Sequence, residues 1–562
     1  MNEGMDLPGV QSIIERVELL LAGEVLSDRV EEAVRQLLNV VEALSSDRRS
    51  LADEVERLRK QLEQKKKGKT TGGPGNDPNQ PPKANHSSEE RRKKLQDAKP
   101  RKSQDRRSFK DLPIHETIEC PVDPATLPPD AVRLTDESVV VQNIKIQPHN
   151  IQFKRQVFHS TAKRKYYFGP LPTGFDQGDF GADLRTLIIC LKYCGNMSEP
   201  KIGEFLANFD VQVSGGSISN ILTNTAQDFE PDYQDVFTAG LSSTSFQQTD
   251  DTSARVRGEF WHTHILCNPY FTFYSTRPRK DRLAVLAVLQ NTDDVRFRLG
   301  AETLQLLQAE LASLPKKWEE QLIALGEREL DAARLKELCD GWFGDGNQQL
   351  RTAIEHAAAI VFYRHQTAVP IVRTLLCDDA SQFKLLTSQL ALCWIHEGRH
   401  YEKLTPVVPQ HQAALAAFQD RFWKYYAALR DYRAAPTEVW AAKLRAEFDE
   451  LFATRTGYEA LDDRIAKTQA KRNELLTVLT EPSVPLHNND SELGARVSAR
   501  RRDVSLHSRS SRGVRAMDIF TTIVQTTKKL AWSAYAYIRG RLTGAIPHPI
   551  LGQTILQAAA SG

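Results

Sequence analysis

Three acidic stretches, far apart in the chain, carry residue types suited to metal-assisted chemistry. The first is SFQQTDDTSARV, where Asp250 and Asp251 stand side by side in a segment otherwise fit for a β-strand. Strand alternation separates them: Asp250 shares a face with Phe246, Gln248, Thr252, Ala254 and Val256, and Asp251 shares the other with Arg255 and Arg257. Those arginines can neutralise Asp251, whereas Asp250 on the apolar face needs a cation of its own, for which a metal ion is suited. A solvent-facing pair at a strand end is the plainer alternative. In VPIVRTLLCDDASQF an apolar, parallel-type strand should end near Cys377, leaving Asp378 at its carboxyl edge before a helix that begins near Gln382. Ligands of α/β folds collect at such edges, although turn formation or helix capping by Asp378 or Asp379 explains the same pattern. In SVPLHNNDSELGARVSARRR, Glu492 follows Asn489 by three residues, and a capping box accounts for that spacing by itself. Downstream, Arg496, Arg500, Arg501 and Arg502, then Arg509, Arg512 and Arg515, are expected to form a basic patch beside the carboxylate. Taken together, Asp250, Asp378 and Glu492 suit phosphodiester chemistry with two divalent ions, Mg²⁺ or Mn²⁺, one activating the attacking oxygen and the other stabilising the leaving one.

The elements expected to position these acids make a multidomain α+β chain of 562 residues. Residues 1–64 read as a helical, coiled-coil region. Val30, Leu37, Leu44, Leu51 and Leu58 form one column and Val34, Val41, Val55 and Leu62 the other, with Arg48 the polar intruder. β-Branched residues at a with Leu at d favour a parallel two-stranded coil, so residues 30–62 are expected to form a homodimer; packing of the helix on its own chain is the alternative. Residues 65–110 hold 15 Lys/Arg against 5 Asp/Glu, giving this basic linker a charge of +10 and the rest of the chain −8. With almost no large apolar side chains it should be disordered and suited to a polyanionic partner. Residues 111–180 alternate in short runs, including NIQFKRQVFH and KRKYYFGPLP, and predict a small β-rich module with a basic, aromatic face.

Residues 181–238 read as three helices with the outline of a helix-turn-helix. Ser217 would cap the third and bring Ser219 and Asn220 to its base-reading end; a helical packing unit is the bland alternative. From residue 239 onward the chain should hold the acid-bearing domain, starting with a three-strand meander and interrupted by helical insertions at about 292–365 and 397–484. No signal pattern, membrane-spanning run or disulfide spacing occurs, the seven cysteines being scattered, so a cytoplasmic protein with reduced thiols is expected.

TDDT with its meander, LLCDDASQF, and NNDSE before an arginine-rich helix resemble the Asp, Asp and Glu signatures of the insertion-sequence-sixty-six family of bacterial DDE transposases. The resemblance covers most of residues 111–562. It implies an RNase H-like catalytic core, a transposase working on double-stranded DNA at transposon ends and target sites, and location at the bacterial nucleoid. It also implies catalytic, metal-holding roles for Asp250, Asp378 and Glu492 rather than Asp251. In LALCWIHEGRH, Cys393 and His396 resemble the C-x-x-H pattern that follows the second acid in several DDE families; lacking a second pair of ligands, they suit a structural or DNA-positioning role. Two departures stand out. Asp251 replaces the family's usual Glu, and only Cys120 lies where many relatives carry paired cysteines, so no zinc ribbon is expected. A metal nuclease without strand transfer and a non-catalytic DNA-binding dimer are the rival readings, and any need for accessory proteins is left open.

Overall fold

The computed structural model describes residues 27–66 and 113–561, apart from 124–125, 129, 133–136, 177, 312–313, 345 and 505–506. The expected segment before residue 27 and nearly all of the basic linker lie outside the described residues. The chain divides into two compact units. The smaller takes in Glu89–Leu171 together with Glu199–Ile218, and the larger holds the first helix, Pro172–Ser198 and everything from Ser219 onward. The three helices read as one helix-turn-helix, Ala182–Tyr193, Glu199–Ala207 and Gly215–Asp228, are therefore shared between the units. A fourth helix, Glu230–Ser242, follows them.

In the smaller unit the expected β-rich module reduces, among the described residues, to one antiparallel hairpin, β1 (Val157–Ser160) and β2 (Lys165–Phe168). SVVVQNIKIQ alternates as a strand should, but its described residues find no partner strand and form no regular element. Alternation signals a strand only where a second strand satisfies its backbone.

The larger unit is built on a five-stranded sheet of order β5-β4-β3-β8-β9, comprising β3 (Phe246–Val256), β4 (Glu259–Asn268), β5 (Phe271–Arg277), β8 (Thr374–Cys377) and β9 (Gln389–Leu392). β3, β4 and β5 form the predicted antiparallel meander, and β8 joins β3 in parallel. The free edge at β5 is closed by the helix Ser511–Lys529. Asp518, Thr522 and Thr526, one helical turn apart, accept the N–H groups of Thr276 (2.8 Å), Tyr274 (3.0 Å) and Thr272 (3.2 Å). The rise of four helical residues nearly matches that of two strand residues, which lets a side-chain ladder stand in for a sixth strand.

Two insertions interrupt this sheet. The first, between residues 292 and 365, is not wholly helical, since β6 (Phe297–Leu299) and β7 (Arg328–Leu330) pair within it. The second, 397–484, packs the helices Pro409–Ala434 and Glu438–Phe452 around Trp394, whose ring centroid lies 5.6 Å from Phe422 and 5.5 Å from Tyr425. Buried Glu397 fixes the base of this insertion through Arg464, Thr468 and Lys471.

The N-terminal helix, Asp28–Lys66, shows the second of the alternatives read from its heptads, packing on its own chain. It docks on its own chain: Glu42, only 7% exposed, accepts the N–H groups of Val407 (2.8 Å) and Val408 (2.7 Å) ahead of the Pro409–Ala434 helix. Asn39 donates to Gly457 O and accepts from Glu459 N, both at 3.0 Å. Burial alone would raise the Glu42 carboxyl, but the bonds from His411, Val408 and Val407 hold it below its ordinary value. Meanwhile Val30, Leu37, Leu44, Leu51 and Leu58 stay exposed along one column. Glu42→Ala would leave the buried Val408 N–H and the half-buried Val407 N–H without their acceptor, a loss of about 2 kcal/mol. The expected result is a lower melting temperature and proteolytic release of residues 28–60, with Glu42→Gln retaining part of the docking.

Candidate active site

Asp250 sits midway along central β3, opposite Ile265 of β4. β3 and β8 pair as Phe246↔Thr374, Gln247↔Leu375 and Gln248↔Leu376, so the same register carried two residues further sets Asp378 beside Asp250. Asp378 follows the last residue of β8, as expected. The helix predicted near Gln382 is instead a single 3-10 turn, Ser381–Phe383, because β9 follows after too few residues to fit a longer helix. Glu492 lies in the first turn of the helix Asn489–Asp503.

The capping-box explanation of Glu492 does not hold. The N-cap is Asn488, and no side chain caps that helix. Glu492 instead faces His396 Nε2 at 3.7 Å and an Arg399 guanidinium nitrogen at 3.8 Å. Asn488 is nearly fully buried and committed elsewhere: its amide donates to Thr249 O (2.7 Å), and its backbone N–H donates to Cys393 Sγ (3.3 Å). One residue thereby joins the strand just before Asp250, the start of the helix Trp394–Glu402, and the turn that presents Glu492. Close approach of that turn's helix to the sheet depends on Gly494, where a Cβ would lie 2.9 Å from Ile265 Cγ2. Neither role has a local sequence signal, since each depends on partners more than 200 residues away along the chain.

Electrostatics tie the three acids together. Burial pushes the Asp250 carboxyl up to about 7, and the charges of Asp378, Glu492 and Asp251 add to the rise, against a hydrogen bond from the Asp251 N–H. Burial also raises Asp378, opposed by the Ala380 N–H and by His396. Among the described residues neither Asp250 nor Asp378 forms an ion pair. Their neighbours do: Asp251 lies 3.8 Å from Lys280 and accepts from Gln382 (3.1 Å), while Asp379 pairs with Lys471 (2.6 Å) and Lys384 (3.0 Å). Asp251 is thus neutralised across the sheet, not by Arg255 and Arg257, which the turn after β3 directs to Phe260 and to the Arg509 carbonyl.

Cys393 and His396 join the site more closely than their spacing alone suggests. Among the described residues, Cys393, His396 and Glu492 have donor atoms that all lie within 4.8 Å of one another. Burial pushes the Cys393 thiol up to about 11 and lowers the His396 imidazole despite the nearby Glu492, so both favour their neutral forms. Asp250 and Asp378 are not part of that group.

The anticipated basic patch is only partly realised. Arg501 is buried and donates to Tyr193 O and Thr521 Oγ1, Arg502 bonds Thr252 and Ser253, and Arg515 pairs with Glu230. Arg500 remains exposed and Arg496 half-buried. Ser217 does not cap its helix: Ser214 Oγ accepts the Ser217 N–H at 3.0 Å, leaving Ser219 half-buried and Asn220 exposed in the first turns.

Residues 357–516 match the family model described as "Transposase IS66 family", a span that includes Asp378, Cys393, His396 and Glu492. The chain is also 31% identical over 313 residues to "Uncharacterized protein y4jO" of Sinorhizobium fredii, covering 54% of this chain and 94% of that relative. The chain belongs to the IS66 transposase family. This membership carries DNA binding with it, and no helix among the described residues is long and apolar enough to cross a membrane.

The unpaired Asp250 sets a test of metal-free stability. An unfolded aspartate titrates near 4 and the folded Asp250 near 7, so the fold holds the proton more tightly than the unfolded chain does. Ionisation between those values therefore costs the folded state stability, increasingly as pH rises towards about 7. In EDTA, Asp250→Asn should melt higher than the parent at pH 8, with the difference vanishing near pH 4.

Proposed function

We propose that this IS66-family protein is a DDE-type transposase that hydrolyses the phosphodiester at a transposon end and uses the freed 3′-hydroxyl to attack target DNA. The observation that carries the reading is the closeness of the charges of Asp250, Asp378 and Glu492, with burial raising both aspartate carboxyls and no ion pair to either aspartate among the described residues, just beyond the last β3–β8 pair. A sheet with one acid midway along central β3 and another just past the end of its parallel neighbour β8 supports an RNase H-like core.

A half-buried cluster of oxygen donors suits Mg²⁺ or Mn²⁺. Asp250 and Asp378 would hold both ions between them, and Glu492 would complete the shell of the second. When bound, the ions supply an activated water and stabilise the departing oxygen. The chain's own groups do the rest. Neutral His396 beside Glu492 limits the carboxylate's orientations, Arg399 balances its charge, and Lys471 and Lys384 anchor Asp379 so that the adjoining Asp378 keeps its direction.

Joining two DNA ends calls for two active sites in one assembly. The exposed column Val30, Leu37, Leu44, Leu51 and Leu58 supports a parallel homodimer through residues 30–62, since apolar residues at seven-residue spacing bury their faces on pairing. The double variant Leu37→Lys/Leu44→Lys should sediment as a monomer while keeping its helical content; an unchanged dimer removes this column from assembly.

For catalysis, Asp378→Asn should lower Mg²⁺-dependent cleavage of end DNA by at least about 10³-fold, the scale of losing a principal catalytic group, while leaving end binding intact. Retained cleavage would exclude Asp378 from the mechanism. Cleavage by the parent protein without joined products in a strand-transfer assay would leave a metal nuclease instead.

A further inference from the structure

The smaller unit carries an unusual amount of uncovered aromatic surface. In the β1–β2 hairpin, Phe158 is 66% exposed, Tyr166 59% and Phe168 57%. The pairing Val157↔Phe168 and His159↔Tyr166 places Val157, His159, Tyr166 and Phe168 on one face. Their rings form a continuous row: His159 and Tyr166 have centroids 4.4 Å apart, and Tyr166 and Phe168 6.5 Å apart. Arg155 lies over the Phe168 ring at 5.3 Å, and Lys165 lies 5.7 Å from the Tyr167 ring on the opposite face.

Charge decides what such a face accommodates. Between residues 138 and 171 the chain holds Lys145, Lys154, Arg155, Lys163, Arg164 and Lys165 and no acid at all. A second copy of the same hairpin would bring like charges together, whereas a polyanion with flat apolar faces matches both the cations and the rings. We propose that this hairpin binds the unpaired bases of a DNA end, stacking them along the His159–Tyr166–Phe168 row while Arg155, Lys163, Arg164 and Lys165 hold the flanking phosphates. Stacking tolerates any base, because each has a π-face, so the hairpin would grip frayed or tailed ends without reading their sequence. The assignment rests on the reading that the protein handles cut DNA ends.

The test uses the full chain carrying Asp250→Asn, in EDTA, so that no cleavage intervenes. Its probes are a blunt duplex and the same duplex bearing a single-stranded tail with 2-aminopurine in it. The background protein should quench the tail's fluorescence and prefer the tailed DNA. Adding Tyr166→Ala and Phe168→Ala should abolish the quenching and weaken tailed-DNA binding roughly ten-fold or more, the scale of losing base stacking, while blunt-duplex binding holds. Tyr166→Phe, which keeps the ring, should behave as the background protein does. Equal losses on both probes, or no loss on either, would overturn the proposal. A change of oligomeric state in sedimentation with DNA binding intact would overturn it too, by making the row a protein interface. Intact stacking in a parent protein that cuts no DNA would sink the transposase reading alone.

Discussion

Concentrated negative charge at Asp250 and Asp378, neither of which forms an ion pair among the described residues, is the constraint around which the larger unit is arranged. Burial and neighbouring carboxylates make ionised Asp250 unfavourable, so something must hold the acids in place despite their repulsion. The surrounding structure does this with neutral groups at the centre and ion pairs one residue away. Asn488 supplies an amide to the Thr249 carbonyl, Cys393 a protonated thiol, and His396 an imidazole biased towards neutrality. Asp251 and Asp379, each next to a candidate ligand in sequence, are the ones given lysines. Charge compensation at the neighbours fixes the backbone and leaves Asp250 and Asp378 without an ion pair among the described residues.

That division explains what could be read from the sequence. Strand alternation separated Asp250 from Asp251, since the two-residue period of a strand is local and survives folding. It did not identify Asp251's partners: Lys280 lies in a loop beyond β5 and Gln382 after β8, and only the tertiary fold unites them. Glu492 had a local explanation in the capping box, which the structure sets aside because the N-cap is Asn488 and not Asn489, one residue too early for that spacing. A helix-start residue with a long-range partner looks no different in sequence from one that caps.

The arginine-rich run shows the opposite failure. Seven arginines from Arg496 to Arg515 look like one surface feature, yet Arg501 packs between Tyr193 and Thr521 inside the unit. Helical geometry turns successive residues by about 100°, so adjacent arginines in a helix against a sheet cannot all face outward. The hairpin errs the other way: its alternation is real, but the sheet it implied is missing among the described residues, leaving aromatic side chains uncovered.

The position of the N-terminal helix follows from the same packing logic and bears on how two sites are held together. Glu42 binds the backbone just before the Pro409–Ala434 helix, and that helix contributes Phe422 and Tyr425 to the rings around Trp394. Trp394 in turn donates from its indole to Leu475 O and from its backbone to Leu486 O, two residues before Asn488. Every link is a buried hydrogen bond or a close aromatic contact, and tightly packed interiors transmit displacement instead of absorbing it. Pairing of two copies through the exposed leucine column would therefore fix more than proximity. It would set the direction from which each acid cluster meets its DNA, because the helix that carries the column is fastened at Glu42 to the insertion that supports the cluster.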